Sequence, residues 1–335
     1  MNYLKQEFVK PQSWESKFDS TLPNFMSSII GEGISECNYR QSLYSLLATS
    51  IANISDKTSI NFLPYISYSI TSKTPDNAIP VTAAWLLICL AAKLFDDVED
   101  GATTGHEAQT INLATGCIFA SHIALEKLAD FGVDEEKSKE IKQIYNRVCL
   151  RMCSGQDKDL TTQLDQILLT PDNWLEIARD KSGILFAWAT WAGGLLAGLN
   201  SDQLFALWEY GLRLGVLIQI ADDYNAIWST SKMDLFDSLT ALPICYAYYV
   251  ANENERDLLM QLINHPQNQE IENALQKMHL LLSSLGTEKF ILAAAQIQRQ
   301  EAVDALARNF SKTSVQPLIS LLDRAFPILG YTIIK

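Results

Sequence analysis

Residues 81–100 read VTAAWLLICLAAKLFDDVED. The stretch from Val81 to Ala92 carries no charge, and its apolar side chains fall on every side of a helix rather than along one stripe. Such a helix belongs inside a bundle, so the carboxylates that close it call for more than a solvated helix end. Asp96 and Asp100 are four residues apart and share one helical face, with Asp97 adjacent. Carboxylates stacked this closely destabilise a helix unless cations bind them.

The pattern returns later. The apolar stretch Gly211 to Ile220 leads into Gln219-Ile220-Ala221-Asp222-Asp223-Tyr224-Asn225. Carboxylates projecting inward from different helices of a bundle are a standard way to build a metal site. With no His or Cys spacing nearby, oxygen-only ligands point to Mg²⁺, or Mn²⁺, rather than Zn²⁺. Mg²⁺ held by a few carboxylates shares its other positions with water and phosphate oxygens, so a phosphate-bearing substrate is expected. The alternative is that each cluster is a helix end facing water.

Around these two helices the chain reads as helix almost throughout. Ser42 to Asn53, Pro80 to Asp100, Ala108 to Phe131, Glu135 to Leu169, Asp172 to Leu199, Ser201 to Trp228, Leu235 to Ala251, Glu270 to Leu285 and Thr287 to Asn309 carry apolar residues at three- and four-residue spacing. Thr74-Pro75-Asp76, Thr170-Pro171-Asp172 and Asn200-Ser201-Asp202 read as helix starts. Strict two-residue alternation is nearly absent, and no linker or low-complexity tract divides the 335 residues. The expectation is an all-α protein, one domain over 1–335, of roughly a dozen helices.

Composition narrows the partners. With 26 Lys+Arg against 39 Asp+Glu, the formal charge of −13 disfavours nucleic acid and anionic membrane surfaces. The run Gly183 to Asn200 approaches membrane-span length, yet its two Trp, its Thr and its Gly pair favour a buried core helix, so no transmembrane segment is expected. The N-terminus lacks an apolar run of leader length, and the six Cys have no metal-ligand spacing. They read as core residues of a cytoplasmic protein.

The residues resemble the trans-isoprenyl diphosphate synthase superfamily, the all-α class I isoprenoid synthases that include polyprenyl synthetases and terpene synthases. Asp96-Asp97-Val98-Glu99-Asp100 is similar to the family's first aspartate-rich motif, and Gln219 with Asp222-Asp223 to its second. Gly155-Gln156-Asp157-Lys158-Asp159-Leu160 resembles its GQxxDL segment, and Lys181-Ser182 its Lys-Thr/Ser pair. Asp234-Leu235 with Leu242-Pro243-Ile244 resembles its DL…LPI stretch.

The resemblance implies an isoprenoid synthase type I fold around a central apolar cavity, a homodimer, and an allylic prenyl diphosphate as substrate. It implies Mg²⁺, three ions by analogy, on Asp96, Asp97, Asp100, Asp222 and Asp223, these being the catalytic carboxylates. Lys181, Gln219 and Gln156 would bind the diphosphate. Phe95, Phe186 and Tyr224 would line the cavity with Ala91 and Ala92, whose small size leaves room for a tail of about C15 to C25. Trp188 and Trp191 are further aromatic candidates, and Lys93 is expected to pair with Asp97.

Departures from the family pattern point to a branch. Gly31-Glu32-Gly33-Ile34-Ser35-Glu36 stands where elongating enzymes carry GGKRxRP, leaving Arg40 as a remnant. The stretch Gly101 to Glu107 supplies no Arg or Lys after the first motif, Ser238-Leu239 replaces Gly-Lys, and Ala226 replaces the last carboxylate of the second motif. With those phosphate contacts gone, a second diphosphate has little to hold it. The expectation is therefore a terpene synthase or cyclase that releases diphosphate. The alternatives are a polyprenyl diphosphate synthase using isopentenyl diphosphate, in which Arg40, Lys158 or Lys232 replaces the missing bases, a peptide prenyltransferase, and a non-catalytic regulatory subunit.

Overall fold

The computed structural model describes residues 15–52, 59–71, 76–164, 168–228, 240–264 and 271–327. These residues are overwhelmingly helical, and no strand occurs among them, as the periodicity leads one to expect. The chain divides into two compact units, residues 1–142 with 195–198, and residues 143–194 with 199–335.

The first unit contains α1 (Glu15–Gly33), α2 (Cys37–Ala52), α3 (Leu63–Tyr68), α4 (Ile79–Glu99) and α5 (Glu107–Glu126). α4 packs along α5 and also touches α1 and α3. Val81, Ala83, Ala84, Trp85, Leu87, Ile88 and Ala91 on α4 are buried, which covers all sides of the helix. That burial explains a sequence with no polar stripe. The Trp85 indole donates to the Ile60 carbonyl at 3.1 Å, so the one polar atom of that ring is satisfied inside the core.

The boundary between the units falls within α6 (Glu135–Leu164). The second unit continues with α7 (Pro171–Ala178), a π-turn over Arg179–Gly183, α8 (Ile184–Leu196), α9 (Ser201–Trp228), α10 (Leu242–Val250), α11 (Glu253–Asn264), α12 (Ile271–Ser284), α13 (Thr287–Ala307) and α14 (Gln316–Ala325). α9 is its spine and contacts α13, α14, α10, α7 and the π-turn. Gly211 and Gly215 let it approach α8 and the π-turn. A Cβ at Gly211 would meet the Phe186 carbonyl and Ala187 Cα, and one at Gly215 would meet Gly183 Cα. The buried Thr190 hydroxyl donates to the Leu207 carbonyl at 2.7 Å across that seam.

Start signals are built as read at two places. The Thr170 side chain accepts from the Asn173 N–H at 3.2 Å, with Pro171 opening α7. Asn200 and Gln203 exchange bonds at 3.0 and 3.2 Å, a capping box that places the start of α9 at Ser201. Thr74-Pro75 lies outside the described residues.

Other boundaries differ. The helix expected over Asp172 to Leu199 is broken by the π-turn. The one expected from Glu135 to Leu169 ends at Leu164, and α10 starts at Leu242, because Pro243 has to sit in a first turn. The nine expected helices omit α1, α3, α11 and α14. Cys37 and Cys153 are exposed rather than core residues, and all six Cys are free. Gly183 to Leu195 is almost wholly buried, as expected of that apolar run. α4 and α9 are long and apolar enough to cross a membrane by length and composition, with 67% and 56% of their most apolar windows buried inside the protein.

Candidate active site

In the first unit, Asp96 and Asp97 occupy the last turn of α4 and Asp100 is its C-cap, donating its N–H to the Asp96 carbonyl at 2.8 Å. Gly101 follows at φ 70°, the left-handed conformation that ends a helix and that favours glycine. Asp96 and Asp100 are exposed, whereas Asp97 is half-buried and accepts from Lys93 Nζ at 3.0 Å. Carboxylates at a helix C-terminus lie against the negative end of its dipole, an arrangement that costs about 0.3–1 kcal/mol for each and that a bound cation relieves. Ala91 is buried, and Ala92 and Phe95 are partly so. The turn Gly101 to Glu107 carries no Arg or Lys, and exposed His106 lies 3.2 Å from Gln109 Oε1.

The second unit assembles the remaining polar residues around the π-turn. Gly155 on α6 lies so close to this turn that a Cβ would meet Lys181 N at 2.4 Å and the Asp180 carbonyl carbon at 2.6 Å. A Cβ at Gly183, on the turn's opposite flank, would meet the Leu212 carbonyl of α9 at 2.9 Å. Glycine at 155 and 183 thus allows three backbones to meet, and the polar side chains beside them converge. Lys181 Nζ donates to Asp159 Oδ2 at 2.7 Å. Ser182 Oγ donates to Gln219 Oε1 at 3.1 Å, and Gln219 Nε2 donates to Asp223 Oδ1 at 3.4 Å. Arg151 and Lys158 flank the turn through Asp180, at 2.7 and 3.7 Å.

Asp223 has a second partner, because its Oδ2 accepts from the Leu242 N–H at 2.7 Å. Leu242 is the first residue of α10, and its N–H has no acceptor within its own helix. Asp223 therefore caps α10 from another helix, which gives the Leu-Pro-Ile stretch a structural meaning. Burial pushes the Asp223 carboxyl up to about 7, against the lowering effect of the Leu242 and Gln219 donors and with the like charges of Asp222 and Asp159 adding to the rise. Asp222 on the neighbouring position is exposed.

The aromatic candidates fall in different surroundings. Tyr224 is buried, with its ring 4.6 Å from Trp228 and 5.2 Å from Phe326 and its hydroxyl donating to Glu288 at 2.9 Å. Burial and Glu288 push that phenol up to about 12. Trp188 is fully buried with its ring 4.7 Å from Tyr145, and Trp191 is buried beside it on α8. Phe186 and Gln156 are partly buried. Lys232, Asp234-Leu235 and Ser238-Leu239 lie outside the described residues.

Thus Gln219, Asp223 and Ser182 are joined by hydrogen bonds, with Lys181 next to Ser182 in the chain. Reading the sequence missed Asp159, the partner of Lys181, and the capping role of Asp223. The GQxxDL segment contained the signal for the first, since its Asp lies four residues after the close-contact glycine.

Among the described residues, no three or more His, Cys, Asp or Glu side chains stand together as a group that could hold a metal ion. The donors fit a metal that takes one or two carboxylates from the protein and the rest from water and phosphate, which is the habit of Mg²⁺.

A family model described as polyprenyl synthetase matches residues 45–278. A short chain isoprenyl diphosphate synthase of Methanocaldococcus jannaschii is 23% identical over 230 residues, covering 64% of this chain and 70% of the relative. A polyprenyl synthase from Caulobacter crescentus, solved with calcium and isoprenyl diphosphate, superposes with a TM-score of 0.74 at 22% identity, over 95% of this chain and 98% of that one. A geranylgeranyl pyrophosphate synthase from Corynebacterium glutamicum, solved with isoprenyl diphosphate and magnesium, gives 0.73 at 13% identity, over 92% and 98%. At these identities the likeness to solved structures establishes the fold.

Proposed function

We propose that this chain, which belongs to the polyprenyl synthetase family, ionises an allylic prenyl diphosphate in the presence of a divalent metal and joins the resulting cation to isopentenyl diphosphate. Membership follows from the match over residues 45–278. The observation that carries the proposal is that this span includes both acidic clusters, the Gly155–Leu160 segment and the Lys181–Ser182 turn, and that a relative matching 64% of the chain is a short chain isoprenyl diphosphate synthase. Chain elongation thus has better support than the hydrocarbon-releasing terpene synthase that the missing bases alone suggest.

In this reading Asp96, Asp97, Asp100 and Asp222 would hold Mg²⁺, with Asp223 backing the second cluster. When bound, the metal supplies Lewis-acid stabilisation of the leaving diphosphate. The chain's own residues bind and orient. Lys181, held by Asp159, presents a fixed positive charge to a diphosphate oxygen. Gln219 is oriented by Ser182 on one side and Asp223 on the other, so its amide cannot rotate freely. Ala91 and Ala92 support a long substrate tail. A homodimer belongs to the same proposal, supported by exposed Ile111 and Phe119 on α5, and so does a cytoplasmic location.

One observation favours the second reading, a terpene synthase. Glu32, in the segment where phosphate-binding bases would stand, pairs with Lys127 at 3.0 Å, and Arg40 donates to the Ile34 carbonyl at 3.4 Å. Neither residue adds an uncommitted cation. The test is purified protein with Mg²⁺ and geranyl, farnesyl, geranylgeranyl or geranylfarnesyl diphosphate, with and without isopentenyl diphosphate. Longer prenyl diphosphates formed only with isopentenyl diphosphate, and lost in Asp96→Asn, are expected. A hydrocarbon or alcohol formed without it would replace the proposal by the terpene-synthase reading.

A further inference from the structure

The end of α9 carries Asp222, Asp223 and Tyr224 and closes at Trp228. The last four carbonyls of a helix have no donor within it, so a buried C-terminal turn draws donors from elsewhere. Ile227 finds one on α12. The His279 ring nitrogen Nε2 lies 2.9 Å from the Ile227 carbonyl, and since a carbonyl only accepts, the imidazole carries a proton there. The Ile227 side chain, 2% exposed, joins the buried cluster that contains Met278, the neighbour of His279. α12 therefore grips this residue by side chain and backbone together. α13 supplies the next hold, because Glu288 in its first turn accepts from the Tyr224 hydroxyl at 2.9 Å. Phe326, buried after α14, closes on the Tyr224 ring at 5.2 Å. All three groups lie beyond residue 278, where the polyprenyl synthetase match ends. A helix end that serves stability alone can leave its carbonyls to water, whereas this one, beside exposed Asp222, is tied by side chains from two other helices.

We propose that His279 and Glu288 are positioning residues for the reaction, fixing the rotation of the last turn of α9 and with it the direction of the Asp222 carboxylate. The proposal rests on the prenyl-diphosphate reading above and adds to it two residues that act only through α9. With either tether cut, the turn beyond Asp223 frays, because Asp223 itself is held from α10 through the Leu242 N–H while Ile227 and Tyr224 lose their outside partners. Lys181 and Gln219 are held by Asp159 and Ser182 and stay in place, so the loss falls on turnover more than on KM.

The experiment is amide hydrogen exchange of the full chain, read by mass spectrometry, beside steady-state kinetics with Mg²⁺, an allylic diphosphate and isopentenyl diphosphate. His279→Ala is expected to speed exchange over 222–228 and to leave that around Tyr210 on the same helix unchanged. It should lower kcat about ten- to hundredfold with KM for the allylic diphosphate within about twofold. His279→Gln, whose amide can donate to the Ile227 carbonyl, should restore both readouts. Glu288→Ala should repeat the pattern, and Glu288→Gln, which keeps an acceptor for Tyr224, should relieve it. Leu280→Ala, at a 65% exposed position on α12, should change neither. Wild-type kcat in His279→Ala, with or without faster exchange, would overturn the inference and leave the reading of the reaction standing. Faster exchange throughout α9, with His279→Gln no better, would reduce the residue to holding the fold and overturn it too. If wild type consumes no allylic diphosphate with or without isopentenyl diphosphate, both fail.

Discussion

Replacing Gly155 by Ala puts the packing of the second unit to its most direct test. The added Cβ would lie 2.4 Å from Lys181 N, 2.6 Å from the Asp180 carbonyl carbon and 2.8 Å from Lys181 Cα. All three atoms are backbone, so no side chain can rotate out of the way. Ordinary contact begins near 3.4 Å, and α6 and the π-turn must separate by about 1 Å to restore it. Overpacking of that kind costs about 1–3 kcal/mol. For a chain of this size that lowers the melting temperature by about 2–10 °C.

The same displacement acts on the site. It pulls Asp159 away from Lys181, a contact of 2.7 Å, and misplacement of a positioned group by about 1 Å can lower turnover about a hundredfold. The assays are thermal melting by circular dichroism and turnover of an allylic diphosphate, with Gly33→Ala as control because nothing lies within 4 Å of a Cβ there. Gly155→Ala with wild-type melting and wild-type turnover would refute the reasoning, since it would mean that the two backbones do not meet at this glycine.

Asp223→Ala should destabilise the fold by about 1–2 kcal/mol in urea, because it removes the cap on Leu242 N–H, whereas exposed Asp222→Ala should leave stability unchanged within about 0.5 kcal/mol and act on metal binding. Tyr210, fully buried on α9, donates to the Leu318 carbonyl of α14 at 2.7 Å, so Tyr210→Phe should cost about 1–2 kcal/mol and be seen as a lower urea midpoint. Burial holds the Tyr210 phenol well above its usual value of 10.0, so the folded state keeps a proton that the unfolded state gives up. The corresponding stability is fully present below pH 10 and falls as pH rises above it, and an alkaline titration of Tyr210→Phe should show a flatter decline than wild type. Thr170→Ala should lower stability by about 1 kcal/mol through loss of the α7 cap, again by urea melting.

Much of the fold was legible because its signals are local. The uncharged run before Asp96 and the apolar lead into Asp222 both became helices buried on several faces, and Asn200-Ser201-Asp202 marked the start of α9, which opens at Ser201. α11 and α14 were not read as helices, although both put a buried side on their neighbours: Leu259, Leu262 and Ile263 join the cluster around Met278, and Leu318, Leu321 and Leu322 pack beneath α9. Their apolar residues do fall along one face, but over only twelve and ten residues, too short for a helix to be stable alone, so each depends on the partner surface that the fold supplies.

The sequence by itself determined that the protein is all-α, that two apolar helical runs lead into paired carboxylates, and that it resembles enzymes acting on prenyl diphosphates. Each of these depends on residues close together in the chain, where spacing translates directly into a helical face. Only the tertiary structure decided which polar groups meet. Asp159 holds Lys181 from 22 residues away, Asp223 caps a helix that starts 19 residues later, and the π-turn interrupts a run that reads as one helix. Those outcomes depend on how closely α6, the π-turn and α9 can approach, and that distance is set by the absence of a Cβ at Gly155, Gly183 and Gly215, on segments that meet only after the chain has folded.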